Sequence, residues 1–110
     1  MAYDTELVER IRELLAPERG VDEKRMFGGL AFLINGHMAV AASREGGLLV
    51  RVPPDDTDKL LDRAHASPMV MAGREARGWL RVDAEGLKTK RELARWVARG
   101  VNHVHSLPPK

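Results

Sequence analysis

There is no cysteine in this chain. That single absence removes disulfides, thiolate metal sites, cysteine nucleophiles and iron–sulfur clusters together, and it fits a reducing cytoplasm. Long apolar runs are missing too. None approaches the roughly 20 residues that a helix needs to span a bilayer, so no membrane partner is expected. Nor does charge of one sign dominate. The formal net charge is +2, small for an electrostatic DNA binder, in which basic character should prevail. Residues 1–16 read as an amphipathic helix containing acids, not as a signal or transit peptide.

Recognisable reaction motifs are scarce as well. Gly28-Gly29 leads into an apolar strand pattern, whereas a P-loop needs a longer glycine–lysine arrangement leading into a helix. The pair reads as a β-bulge or a close backbone approach. Ser43, Ser67 and Ser106 sit in no nucleophile elbow. The histidines are His37, His65, His103 and His105. His37 follows a hairpin turn and is expected near the surface. His103 and His105, two apart at a helix end, project about 200° from one another, and a zinc site wants three or four converging ligands. No metal, no cofactor and no catalytic residue is expected, and the chain reads as a non-enzyme.

What remains is a well-patterned fold. At 110 residues and 12.3 kDa the chain makes one domain, residues 1–110. A hydrophobic content of 44% with 31% charged residues is ordinary for a soluble globular protein. A helix is expected from about Asp4 to Leu15, with Asp4 as N-cap, a Tyr3–Val8 hydrophobic staple, and Leu7, Ile11, Leu14 and Leu15 on one face. From Arg25 to Val52 the pattern predicts three antiparallel strands joined by two glycine turns. Asn35-Gly36 is a strong type I′ hairpin signal, because both residues tolerate positive φ. Two-residue closure there sets Ile34 opposite His37, Phe32 opposite Ala39 and Leu30 opposite Ala41. A four-residue loop at Arg44–Gly47 then sets Ala41 opposite Val50.

One sheet face accordingly carries Leu30, Phe32, Ile34, Ala39, Ala41, Leu48, Val50 and Val52, the expected core. The other carries Phe27, Ala31, Leu33, Met38, Val40, Leu49 and Arg51. That second face is too apolar for a freely solvated surface, which normally alternates with polar residues. A short helix is expected over Asp55–Ala64, a second hairpin from Pro68–Ala72 and Trp79–Val82, and a last helix opened by the capping box Thr89–Glu92. Leu93, Trp96, Val97, Val101 and Val104 form that helix's apolar stripe. The string is α-β-β-β-α-β-β-α.

An acidic amphipathic first helix, then Glu-Lys-Arg-Met-Phe-Gly-Gly-Leu-Ala-Phe at Glu23–Phe32, then Gly-Trp-Leu-Arg-Val at Gly78–Val82, resembles the N-terminal domain of the TfoX/Sxy family. Arg25, Met26, Phe27, Gly28 and Gly29 are the most distinctive part, and the resemblance runs from about Tyr3 to Leu107. It implies a two-layer α+β fold with a five-stranded antiparallel sheet, similar to secretion-chaperone-like proteins. Founding members are regulators of competence for DNA uptake that work with the transcription machinery and carry a C-terminal domain besides. The present chain is expected to be the stand-alone N-terminal type.

The reading is therefore a cytoplasmic, non-enzymatic regulatory domain that works by binding a protein. Its candidate surface is Arg25, Phe27, Leu33, Met38, Val40, Leu49, Arg51, Trp79 and Arg81; Met26, Gly28, Gly29, Asn35 and Gly36 are assigned structural roles. If the helices gather on one side, self-association is the natural cover, most often as a two-fold homodimer. Arginines on phosphates with aromatics on bases would instead make the surface a nucleic-acid platform. A deep pocket near Arg25, Arg51 and Arg81 would favour a small-ligand binder or an enzyme.

Overall fold

The computed structural model describes residues 5–26, 29–43, 46–61, 65–71 and 73–108. Its elements in chain order are α1 (Thr5–Leu15), β1 (Val21–Met26), β2 (Gly29–Ile34), β3 (His37–Ala42), β4 (Leu48–Arg51), α2 (Thr57–Leu61), β5 (Ala66–Met71), β6 (Arg74–Val82) and α3 (Lys90–His105). One-turn 3-10 segments at Pro54–Asp56 and Ala84–Leu87 lead into α2 and towards α3. The α+β class stands, but the sheet has six antiparallel strands, in the order β1-β2-β3-β4-β6-β5, and not five. The extra strand is β1. Its Asp22-Glu23-Lys24-Arg25 run has no apolar alternation, and the strand lies at an edge, where charge discourages pairing with another chain.

The hairpin at Asn35-Gly36 closes as expected. Asn35 and Gly36 have φ of 53° and 86°, and Ile34 pairs with His37. Two residues further on the register departs from expectation. Phe32 pairs with Val40 and Leu33 with Met38, so Ala39 is an extra residue on β3. This bulge turns Val40 and Ala42 towards the core and Ala41 away from it. The β3–β4 loop is also one residue longer than expected, since Ala42 pairs with Leu48. The bulge expected at Gly28-Gly29 is not at Gly29, which opens β2 opposite Met26; Phe27 and Gly28 between them lie outside the described residues, as do Tyr3 and Asp4.

Two rows crossing the whole sheet define the inner face. One is Arg25–Leu30–Ala42–Leu48–Val82–Ala66, and the other is Glu23–Phe32–Val40–Val50–Leu80–Pro68. Phe32, Val40, Leu48, Val50, Leu80 and Val82 on these rows are completely buried. They share one cluster with Leu7, Val8, Ile11 and Leu15 of α1 and with Leu93, Trp96, Val97, Val101 and Val104 of α3. Leu60 and Leu61 of α2 pack against the same cluster. α3 crosses β3 and β4 and touches α1, and α2 lies by β5 and β6. At the crossing, Gly100 is as close as a helix can come. A Cβ there would stand 2.5 Å from the Ala39 carbonyl oxygen.

Polar fastenings hold the helices in place. Thr89 caps α3, accepting from the Glu92 amide at 3.0 Å while its hydroxyl donates to the Glu92 carboxylate. Arg10 donates to the Leu87 carbonyl at 2.8 Å, tying α1 to the approach to α3. Arg12 grips both oxygens of Glu23 at 2.8 and 2.6 Å and also meets Glu9. That fork holds the Glu23 carboxyl below its ordinary pKa and pushes the guanidinium above its own. His37 is not at the surface as expected. It is buried, and Nε2 lies 2.6 Å from the Pro108 carbonyl oxygen, so the tail folds over it.

Candidate functional site: the open sheet face

Because opposed residues share a face, the same registers give the outer face. One row reads Lys24–Ala31–Ala41–Leu49–Arg81–Ser67 from edge to edge, polar at its ends and apolar in the middle. Beside it lie Asp22–Leu33–Met38 on β1 to β3 and the Arg51–Trp79 pair on β4 and β6. Ala31 and Ala41 are buried yet belong to no part of the core cluster. Their short side chains lie low between taller neighbours, so the middle of this face is a shallow trough. Leu33, Met38, Leu49 and Trp79 are half-buried and likewise outside the core. Among the described residues, no helix covers this side.

Its two arginines are held differently. Arg81 donates to the Ser43 hydroxyl and to the Gly46 carbonyl, each at 3.0 Å, which ties it to the β3–β4 loop. It braces that loop. The Arg51 guanidinium lies 5.8 Å from the Trp79 ring centroid, a cation–π distance that orients it along the surface.

Of the residues expected here, Leu33, Met38, Leu49, Arg51, Trp79 and Arg81 do come together. Val40 does not: the bulge at Ala39 buries it completely beneath α3, where its Cγ1 would sit 3.0 Å from a Gly100 Cβ. Arg25 does not either, because it pairs with Leu30 and so stands at the edge of the helix-covered side. Phe27 lies outside the described residues. Met26 pairs with Gly29 at the end of the β1–β2 ladder. Sequence reasoning missed Lys24, Ala41 and Ser67. Lys24 and Ser67 belong to strand stretches it did not draw, and Ala41 changes face only through the bulge. Among the described residues no group of three or more His, Asp or Glu could hold a metal ion.

Of the known protein families, the model described as TfoX N-terminal domain matches residues 13–104. The chain belongs to that family. The matched span takes in all six strands and nearly all of α3, so the whole open face lies within the TfoX N-terminal domain. Membership makes this, at a coarse level, a regulatory-type domain. No curated protein and no solved structure matched the chain. Among the described residues no helix is long and apolar enough to cross a membrane.

Proposed function

We infer that this TfoX N-terminal domain is a non-enzymatic module that regulates by docking a protein on the open sheet face. The observation that carries the reading is the segregation of the sheet. All three helices join the core on one side, while Leu33, Met38, Leu49 and Trp79 remain half-buried on the other. Apolar groups gathered on one exposed surface mark an interaction site far more often than scattered ones do. The partner suited to it presents apolar side chains flanked by carboxylates, since Lys24 and Arg51 stand beside the trough. A second copy of the chain is the simplest such partner, joined about a two-fold axis.

The competing reading is a single-stranded nucleic-acid platform. Base stacking needs several aromatic faces, and Trp79 is the one aromatic on this face among the described residues. Leucine and methionine suit a protein surface better.

A photocrosslinking residue at position 38 tests both. Discrete protein adducts, a self-adduct included, that disappear in Leu33→Glu support docking. Adducts to nucleic acid that weaken steeply with salt would favour the platform. No adduct at all would end the reading.

A further inference from the structure

A groove of about 540 Å³ runs between the C-terminal half of α3 and the Pro54–Asp56 turn with α2, on the helix side and away from the open sheet face. Val52, Pro53 and Leu60 give it an apolar floor, and Arg99, His103 and Lys59 bring nitrogen groups to its walls. The volume falls inside the range of about 300–1,000 Å³ typical of small-molecule sites, and a few polar groups over an apolar floor is their usual composition.

Charge selects the ligand class. Arg99 and Lys59 are cations, Asp56 is the one carboxylate on the lining, and Asn102 and Ser106 are neutral. Burial, chiefly, and the Arg51 charge hold His103 below its ordinary pKa, with Asp56 opposing them, so the imidazole is neutral at pH 7. The lining therefore carries one net positive charge over a hydrocarbon floor. A monoanion with an apolar body matches that balance, whereas a dianion would leave Asp56 facing uncompensated charge. Arg99 is well placed for the fork: its guanidinium lies over the Trp96 ring, 4.5 Å from the centroid, which orients it at the wall.

We propose that this groove is a binding site for a small organic monocarboxylate, its carboxylate at Arg99 and Lys59 and its apolar body on Val52, Pro53 and Leu60. The site is separate from the sheet face and stands whether or not that face docks a protein.

The test is NMR titration of the full chain with hexanoate, with hexylamine as the reversed charge and inorganic phosphate as an anion lacking an apolar body. Hexanoate should give saturable amide shifts at Val52, Leu60 and Asn102. It should also move the His103 imidazole titration to higher pH, because a bound anion favours the imidazolium. Arg99→Gln should weaken binding about tenfold, the loss of one charge-assisted contact. Since Arg99 also packs on Trp96, Lys59→Gln, at an exposed position, and the groove-filling Leu60→Trp serve as second variants. Both should weaken binding while the remaining spectrum stays native. Shifts that never saturate, an equal response to hexylamine, phosphate binding as tightly as hexanoate, or shifts confined to the open face would each overturn the assignment.

Discussion

Phe32 and Leu33 are neighbours on β2, and they report on two different surfaces. Phe32 is completely buried among the side chains of α1, α3 and four strands. Leu33 points the other way and is half-buried, with only its own sheet around it. The inner face has the character of a protein interior, down to a helix glycine pressed on a strand carbonyl. The outer face has the composition of an interior without the cover. Stability is concentrated on one side of a single layer, which leaves the other free to vary with a partner at little cost to folding.

Substitutions should break that symmetry unequally, and the largest effect belongs to the inner face. Phe32→Ala should lose about 3–5 kcal/mol, since the cavity sits under three helices and cannot fully collapse. Leu33→Ala should lose about 1 kcal/mol or less, because much of that side chain is already in water. Urea midpoints at unchanged slope measure both. Equal shifts would mean that the open face is covered after all.

Gly100→Ala comes next. Alanine gains about 1 kcal/mol in helix propensity, yet its methyl would stand 2.5 Å from the Ala39 oxygen and 3.0 Å from Val40 Cγ1. Backbone oxygen does not yield cheaply, so the net result should be a loss of about 1–2 kcal/mol. A gain would place α3 further from β3.

How far the comparison was legible in sequence depends on parity. Alternation gave the two faces of β2, and the Asn35-Gly36 turn gave the start of β3. The bulge at Ala39 then shifted β3 by one residue, which small, featureless Ala39, Ala41 and Ala42 do nothing to announce. The β3–β4 loop is one residue longer than a four-residue closure, and that second shift cancels the first. Leu48, Val50 and Val52 therefore lie in the core as the pattern expected, through two compensating departures, while Val40 and Ala41 exchanged sides. β1 was illegible for another reason. An edge strand needs no apolar face, and its charges look like a loop. The groove beside α3 was beyond sequence reasoning, because it joins Val52 and Lys59 to Arg99 and His103 only through the packing of α3 against α2.

Caps could be read directly. Thr89→Ala should cost about 1 kcal/mol by leaving the Glu92 amide without its acceptor, and Thr89→Ser should restore nearly all of it. Because α3 lies wholly on the inner side, this loss should appear in the unfolding midpoint and leave any adduct at position 38 unchanged. A cap variant that also abolished the adduct would couple the two faces.

The smallest effect separates the two sides of β1 itself. Glu23 stands on the covered side and meets Arg12 of α1, while Lys24 stands on the open side. Both partners of the Glu23–Arg12 fork are substantially exposed, with side-chain exposures of 33% and 45%, so Glu23→Gln should cost no more than about 1 kcal/mol at neutral pH. The Glu23 carboxyl has a lower pKa folded than unfolded. Its contribution is therefore present above the ordinary carboxylate range, near pH 4.3, and is lost as pH falls through the folded value. The gap between wild type and Glu23→Gln should close over that acid range and shrink with salt. Urea, which is uncharged, is the denaturant to use. His103, also lowered, titrates in a higher window and destabilises the fold as pH drops below about 6.5, so it acts on both chains alike and cancels in the difference. Lys24→Gln should show neither the loss nor the pH dependence, since its side chain fastens no helix. If it did, the charged edge would be bracing the open face, and that face would be less free for a partner than its exposure suggests.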